Sequence, residues 1–180
     1  MVYMLLGTGF EETEAIAPLD LMRRAQIDVL TVGIGNKVIE GGHGIRVEAD
    51  ITVGEMDLTE MDMIVLPGGL GGVASVRSCP EALAALKFAW DNQKLVAAIC
   101  AGPTVLADLG ITNEKNATCY PGCETNMGSA VIAADVPSIR DGNLITGTSG
   151  GCAIPFGLLL IEALKGADAA QTVRKQIVIR

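Results

Sequence analysis

The chain has 180 residues, 49% of them hydrophobic but only 3% aromatic, so its core must be built from Val, Ile, Leu and Ala. Thirteen basic against 21 acidic residues leave a net charge of −8 with no basic stripe, which argues against a nucleic-acid partner because phosphate neutralisation dominates that affinity. No apolar stretch reaches bilayer length, and Met1-Val-Tyr-Met-Leu-Leu6 lacks the charged region and cleavage site of a secretion signal, so no membrane association is expected. The five cysteines are odd in number and unevenly spaced, which fits a reducing cytoplasm better than a disulfide framework.

With no linker, repeat or low-complexity tract, residues 1–180 read as a single domain. Val2–Leu6 is a short apolar strand closed by Gly7-Thr-Gly9. A helix follows over Glu11–Ala25, with acids at its positive end and Arg23 and Arg24 at its negative end. Val29–Val32 is a second strand, and the glycine-broken stretch Val38–Val53 reads as a hairpin excursion at a sheet edge. Met63–Leu66 is a buried strand ending in Pro67-Gly-Gly69. Pro80 opens a helix to Asn92, on which Leu83, Leu86 and Trp90 recur at helical spacing. Leu95–Ile99 is a strand with a helix, Thr104–Leu109, behind it. Ala117–Cys119 and Leu144–Thr146 read as further strands, before a long helix over Ala153–Lys165. Strands alternating with helices imply a mainly parallel sheet covered on both faces, with ligands beyond the carboxyl ends of its strands.

Cys100 is the most informative residue. The run Leu95-Val-Ala-Ala-Ile99 ends in this thiol, and a helix begins almost at once. A tight strand-to-helix turn pushes one side chain out at the carboxyl edge of a sheet, facing helix N–H groups that favour a thiolate. The plainer alternative is a buried structural cysteine. Ala101, Gly102 and Pro103 weigh against it, because small residues let a ligand reach the turn.

Three segments at strand ends, Gly9-Phe-Glu-Glu-Thr-Glu-Ala15, Val65-Leu-Pro-Gly-Gly69 and Ala97-Ala-Ile-Cys-Ala-Gly-Pro103, resemble the ThiJ/PfpI family, in its branch of the parkinsonism-associated deglycase and bacterial YajL. The resemblance runs nearly end to end, through Leu21-Met-Arg-Arg-Ala25 and Leu160-Ile-Glu-Ala-Leu164. It implies a flavodoxin-like α/β three-layer sandwich, a homodimer, an active Cys100 and no bound cofactor. It also makes Glu14 the carboxyl beside the thiol, and the backbone N–H groups of Gly69 and Ala101 an oxyanion hole. A carboxyl beside a thiolate is expected to be protonated, since two anions do not share a poorly solvated site. Taken alone, Glu14 reads equally as a solvated residue of the first helical turn, like Glu11 and Glu12, and Pro67-Gly-Gly69 as an ordinary turn.

Some positions depart from the family pattern. Tyr120, in Thr118-Cys-Tyr-Pro121, stands where some members carry a histidine, and Ala101 stands where the protease-like branch has one. Thr148, in Gly147-Thr-Ser-Gly-Gly151, replaces an arginine of the human-like members. Gly68, Tyr120 and Thr148 are therefore expected to line the pocket without a Cys–His pair. His43, the single histidine, reads as a solvated loop residue or one reaching the site from a partner subunit. Cys119 and Cys123 have half of a metal clip with nothing to complete it, so no metal is expected. Cys119 reads as ending a strand near the site, with a disulfide to Cys123 or Cys100 left open, and Cys79 and Cys152 as core or loop thiols. The resemblance points to a cofactor-independent enzyme acting on methylglyoxal, glyoxal or their adducts. A redox sensor or chaperone regulated by Cys100 oxidation needs the same residues. A thiazole-phosphate biosynthetic role, suggested by the family's name, has no phosphate-binding loop to support it.

Overall fold

The computed structural model describes residues 1–179. In chain order it holds β1 (Val2–Leu6), α1 (Glu12–Arg24), β2 (Val29–Gly33), β3 (Val38–Glu40), β4 (Arg46–Glu48) and β5 (Ile51–Thr52). There follow β6 (Met63–Leu66), α2 (Leu70–Arg77), α3 (Pro80–Asp91), β7 (Leu95–Ile99), α4 (Pro103–Asp108) and β8 (Asn116–Ala117). The chain closes with β9 (Val131–Ile132), β10 (Ser138–Asp141), β11 (Leu144–Gly147), α5 (Ala153–Lys165) and α6 (Ala167–Gln176).

Seven strands form one sheet in the order β10-β11-β7-β6-β1-β2-β5. Every neighbouring pair is parallel except β10 with β11. Successive strand residues face opposite sides, so each apolar run feeds two cores. Val2, Met4, Leu6, Val65, Ala97 and Ile99 pack with Leu19, Met22, Phe156, Leu160 and Val173 of α1, α5 and α6. On the other face Tyr3, Leu5, Ile64, Leu66, Val96 and Ala98 pack with Val73, Val76, Leu86 and Val105 of α2, α3 and α4. This is the expected three-layer α/β sandwich.

The excursion over residues 38–53 divides in two. β3 and β4 make a separate antiparallel hairpin, while β5 joins the main sheet beside β2. Asn116–Ala117 does form a strand, but it pairs only with β9 in a second small sheet, and Cys119 lies beyond it. Helices α2 and α6 and strands β9 and β10 have no counterpart in the sequence reading. Gly71 and Gly72 hide the apolar pattern of α2, whereas α6 buries only Ala170 and Val173. β10 is a half-buried edge strand of mostly polar residues. Periodicity is weak wherever an element covers little core.

Candidate active site

The sheet order decides which loops meet. β7, β6 and β1 are consecutive neighbours, so the turns leaving their carboxyl ends stand side by side. They are the Cys100 turn, Pro67-Gly-Gly69 and the loop Gly7–Glu11 that leads into α1.

Cys100 follows β7 with φ of 65°, a left-handed conformation that costs a non-glycine residue roughly 1–3 kcal/mol. Two backbone bonds hold it there. Its N–H donates to Gly147 O at 2.9 Å, and its carbonyl accepts from the Tyr120 N–H at 2.8 Å. The thiol is therefore lifted out of the strand line, half-buried, as the elbow reading expects. The amides of Ala101 and Gly69 act on Sγ to favour the thiolate, while the hydrogen bond and charge of Glu14 act against it.

Glu14 lies in the first turn of α1, where the Glu11 side chain caps the helix by accepting the Glu14 N–H at 2.7 Å. Glu12 and Glu14 are both buried, so neither is the solvated first-turn acid that the plainer alternative describes. Glu14 Oε2 accepts the Gly68 N–H at 2.9 Å. The Glu11 N–H donates to Gly68 O at 3.0 Å, which stitches α1 to the glycine turn. Glycine is required here by close approach. A Cβ on Gly68 would lie 2.5 Å from Glu14 Oε2 and 3.1 Å from Cys100 Sγ. Gly69 has φ of 86°, and a Cβ there would lie 2.5 Å from Gly9 O, so only glycine fits this turn.

Burial and the nearby Glu11 charge push the Glu14 carboxyl up, against the pull of its bonds to Cys100 and Gly68. The shift runs in the direction the sequence reading expects, toward the protonated acid. The thiol does not follow the expectation of ionisation near neutrality. Burial, then the charge and hydrogen bond of Glu14, push Cys100 up to about 12, outweighing the Ala101 and Gly69 amides. A single helix terminus does not offset a carboxylate in contact, and α4 has only six residues. The site thus keeps a proton on the sulfur beside the Glu14 carboxyl rather than holding two anions.

The other expected residues are placed unevenly. Tyr120 touches the elbow through its backbone, and its ring is half exposed. The Thr148 hydroxyl is spent elsewhere, donating to Val136 O at 2.5 Å and sharing a bond with Thr118 Oγ1 at 2.9 Å. Gly150 of the same loop is the part that approaches the acids, its absent Cβ lying 3.6 Å from Glu14 Oε1. His43 is exposed at the rim but pinned. Its N–H donates to Glu12 Oε1 at 2.7 Å, and its Nδ1 lies 2.7 Å from Glu12 Oε2. Glu11, Glu12 and His43 bring donor atoms within 4.8 Å of one another, the one such cluster among the described residues, and these hydrogen bonds already account for Glu12. All five cysteines are free, and the Cys119 thiol is raised to about 11 by burial, then by Glu124 and Cys123.

Two clefts open beside the elbow. One, of about 310 Å³, is lined by Phe10, Glu11, His43, Gly69 and Leu70. The other, of about 590 Å³, is lined by Leu70, Arg77, Ala101, Thr104, Asp108 and Cys123. Leu70 stands between them, 84% exposed. Sequence patterning gave no sign of this ridge.

A parallel α/β sandwich whose strained strand–helix turn sets a cysteine beside a buried acid and two backbone amides defines a class of proteins with a thiol at this turn. The chain belongs to the DJ-1/PfpI family, whose model matches residues 1–163. It is 33% identical over 178 residues to the Drosophila melanogaster protein dj-1beta, covering 98% of this chain and 95% of that one. It is 32% identical over 146 residues to a Pyrococcus abyssi protein named a deglycase, covering 81% of this chain and 87% of the other. Among solved structures it is similar to a cysteine-to-alanine mutant of a DJ-1 superfamily protein from Salmonella typhimurium, with a TM-score of 0.93 at 32% identity over 99% of this chain and 98% of that one.

Proposed function

We propose that this protein is a cofactor-independent, cysteine-dependent enzyme acting on methylglyoxal, glyoxal or their early adducts. The observation that carries the proposal is the convergence of Glu14 and the Gly69 and Ala101 amides on Cys100 Sγ. Burial keeps the thiol protonated at rest, so activation needs a base in contact, and Glu14 supplies it.

In the proposed sequence Sγ adds to the aldehyde carbon of methylglyoxal as its proton passes to Glu14. The aldehyde oxygen, now an anion, is steadied by the two amides and takes that proton back from Glu14, giving a hemithioacetal and a free carboxylate. Glu14 then removes the proton from the former aldehyde carbon and returns one to the neighbouring carbonyl carbon, while the oxygens exchange protons through an enediol. The product is a thioester of a hydroxy acid, which water cleaves to lactate and free thiol. No external oxidant or reductant is consumed. The family membership, and the relative named a deglycase, support this choice. We further infer that the enzyme works in a reducing cytoplasm, which the odd, unevenly spaced cysteines favour, and as a homodimer, which the family membership favours. Among the described residues no helix is long and apolar enough to cross a membrane.

The test is lactate formation from methylglyoxal by wild type and by Cys100→Ser. Wild-type turnover abolished by the substitution supports the reading. Absence of turnover in wild type, or its survival in the variant, refutes it. The same donors around Sγ also suit oxygens carried by an oxidised sulfur, which favours redox sensing as a second reading. Selective dioxygenation of Cys100 under mild peroxide, with methylglyoxal untouched, would decide for it.

A further inference from the structure

The two amides that aim at Cys100 Sγ belong to different helices. Gly69 immediately precedes α2, and Ala101 lies two residues before α4. Their spacing around the sulfur therefore depends on how these helices are held together. Arg77 is the last residue of α2 and spans the gap. Its terminal NH2 donates to Thr104 Oγ1 at 2.8 Å and its Nε to Asp108 Oδ2 at 2.8 Å, both acceptors on α4. Among the described residues these are the side-chain hydrogen bonds that join α2 to α4.

The Thr104 branch leads back to the elbow. Thr104 is buried, and its hydroxyl donates to Ala101 O at 2.7 Å. A hydroxyl has one proton, already spent on Ala101, so its remaining capacity is as an acceptor, and Arg77 fills it. The Ala101 carbonyl is thus fixed from one side, while Gly147 and Tyr120 fix Cys100 itself from the other. We propose that Arg77 is a positioning residue for the reactive site: by tying the end of α2 to Thr104 and Asp108, it sets the aim of the Gly69 and Ala101 amides around Cys100 Sγ. A planar guanidinium serves two acceptors at once in fixed directions, which an ammonium does not. The plainer alternative is a half-exposed ion pair worth about 0–1 kcal/mol. It accounts for the Asp108 branch but not for the bond to a buried threonine beside the elbow.

The inference concerns the site assigned above but needs no substrate, so it is tested on the thiol alone. The measurement is the rate of Cys100 alkylation by iodoacetamide against pH, read on the Cys100 peptide by mass spectrometry. Arg77→Met keeps the aliphatic stem and removes the fork. Thr104→Val breaks the same chain from the other end, and serves if the first variant folds poorly. Loosened amides stabilise the thiolate less, so alkylation below the thiol's titration is expected to fall about tenfold in each variant, the equivalent of one pKa unit. The double variant is expected to react no more slowly than the slower single one, because both act through Ala101. Wild-type alkylation profiles in both folded variants, or losses that simply multiply in the double variant, would overturn the assignment. Failure of methylglyoxal turnover in wild type leaves this measurement intact, so the two proposals fail separately.

Discussion

Glu14 Oε2 and Cys100 Sγ crowd one vacant position, the Cβ that Gly68 lacks, from 2.5 and 3.1 Å. The acid and the thiol meet only because the residue between them has no side chain. Gly68→Ala is expected to force the pair apart, destabilising the fold by about 1–3 kcal/mol as overpacking does. Alkylation of Cys100 should then lose its dependence on Glu14. Denaturant unfolding, and a repeat of the alkylation profile with Glu14→Gln added, check both effects.

Glu14→Gln separates charge from proton transfer. Its carboxylate charge is the second cause, after burial, of the raised thiol at about 12. The amide removes that charge, so the thiol is expected to titrate lower and alkylate faster at neutral pH. Lactate formation should nevertheless fall by roughly 10²-fold or more, because the base is gone. Faster alkylation with slower turnover is the signature. Slower alkylation would show that the carboxyl supports the thiolate rather than opposing it.

The elbow itself carries a stability cost. Cys100 holds φ of 65°, where glycine is unstrained and alanine is not. Cys100→Gly is expected to be more stable than Cys100→Ala by about 1 kcal/mol, with both inactive. Paired melts of the two variants test this, since neither retains the thiol.

The His43–Glu12 pair predicts a pH window. The hydrogen bond and charge of Glu12 hold His43 above its usual 6.5, so its contribution is complete below that value and is lost as pH rises through the folded-state value. For Glu12, burial opposes the charge, but the His43 ring and the amides of His43 and Ile45 hold its carboxyl below the usual 4.5. Its contribution is complete above 4.5 and is lost as pH falls through the lower folded-state value. The melting difference between wild type and His43→Ala should therefore be greatest between 4.5 and 6.5 and shrink toward alkaline pH. A difference that grows toward alkaline pH contradicts the pairing.

What the amino-acid order determined by itself is the set of parts. Apolar runs such as Leu95–Ile99 and Val2–Leu6 specify strands because each supplies both faces of a sheet, and Ala153–Lys165 is a helix with the bounds read from the sequence. The elbow at Cys100 was legible because a strand, a thiol and small residues are contiguous. Tertiary structure alone decided the rest, since it turns on neighbours far apart in the chain. The buried state of Glu12 and Glu14, which their helix-start positions conceal, comes from the β3–β4 hairpin and Gly68 closing over them. The raised thiol results from burial and then from Glu14 reaching it across the sheet, and the Arg77 tie from α2, whose glycines mask its helical pattern. Local pattern fixes where a side chain starts, but its charge state and role follow from what the folded chain packs against it.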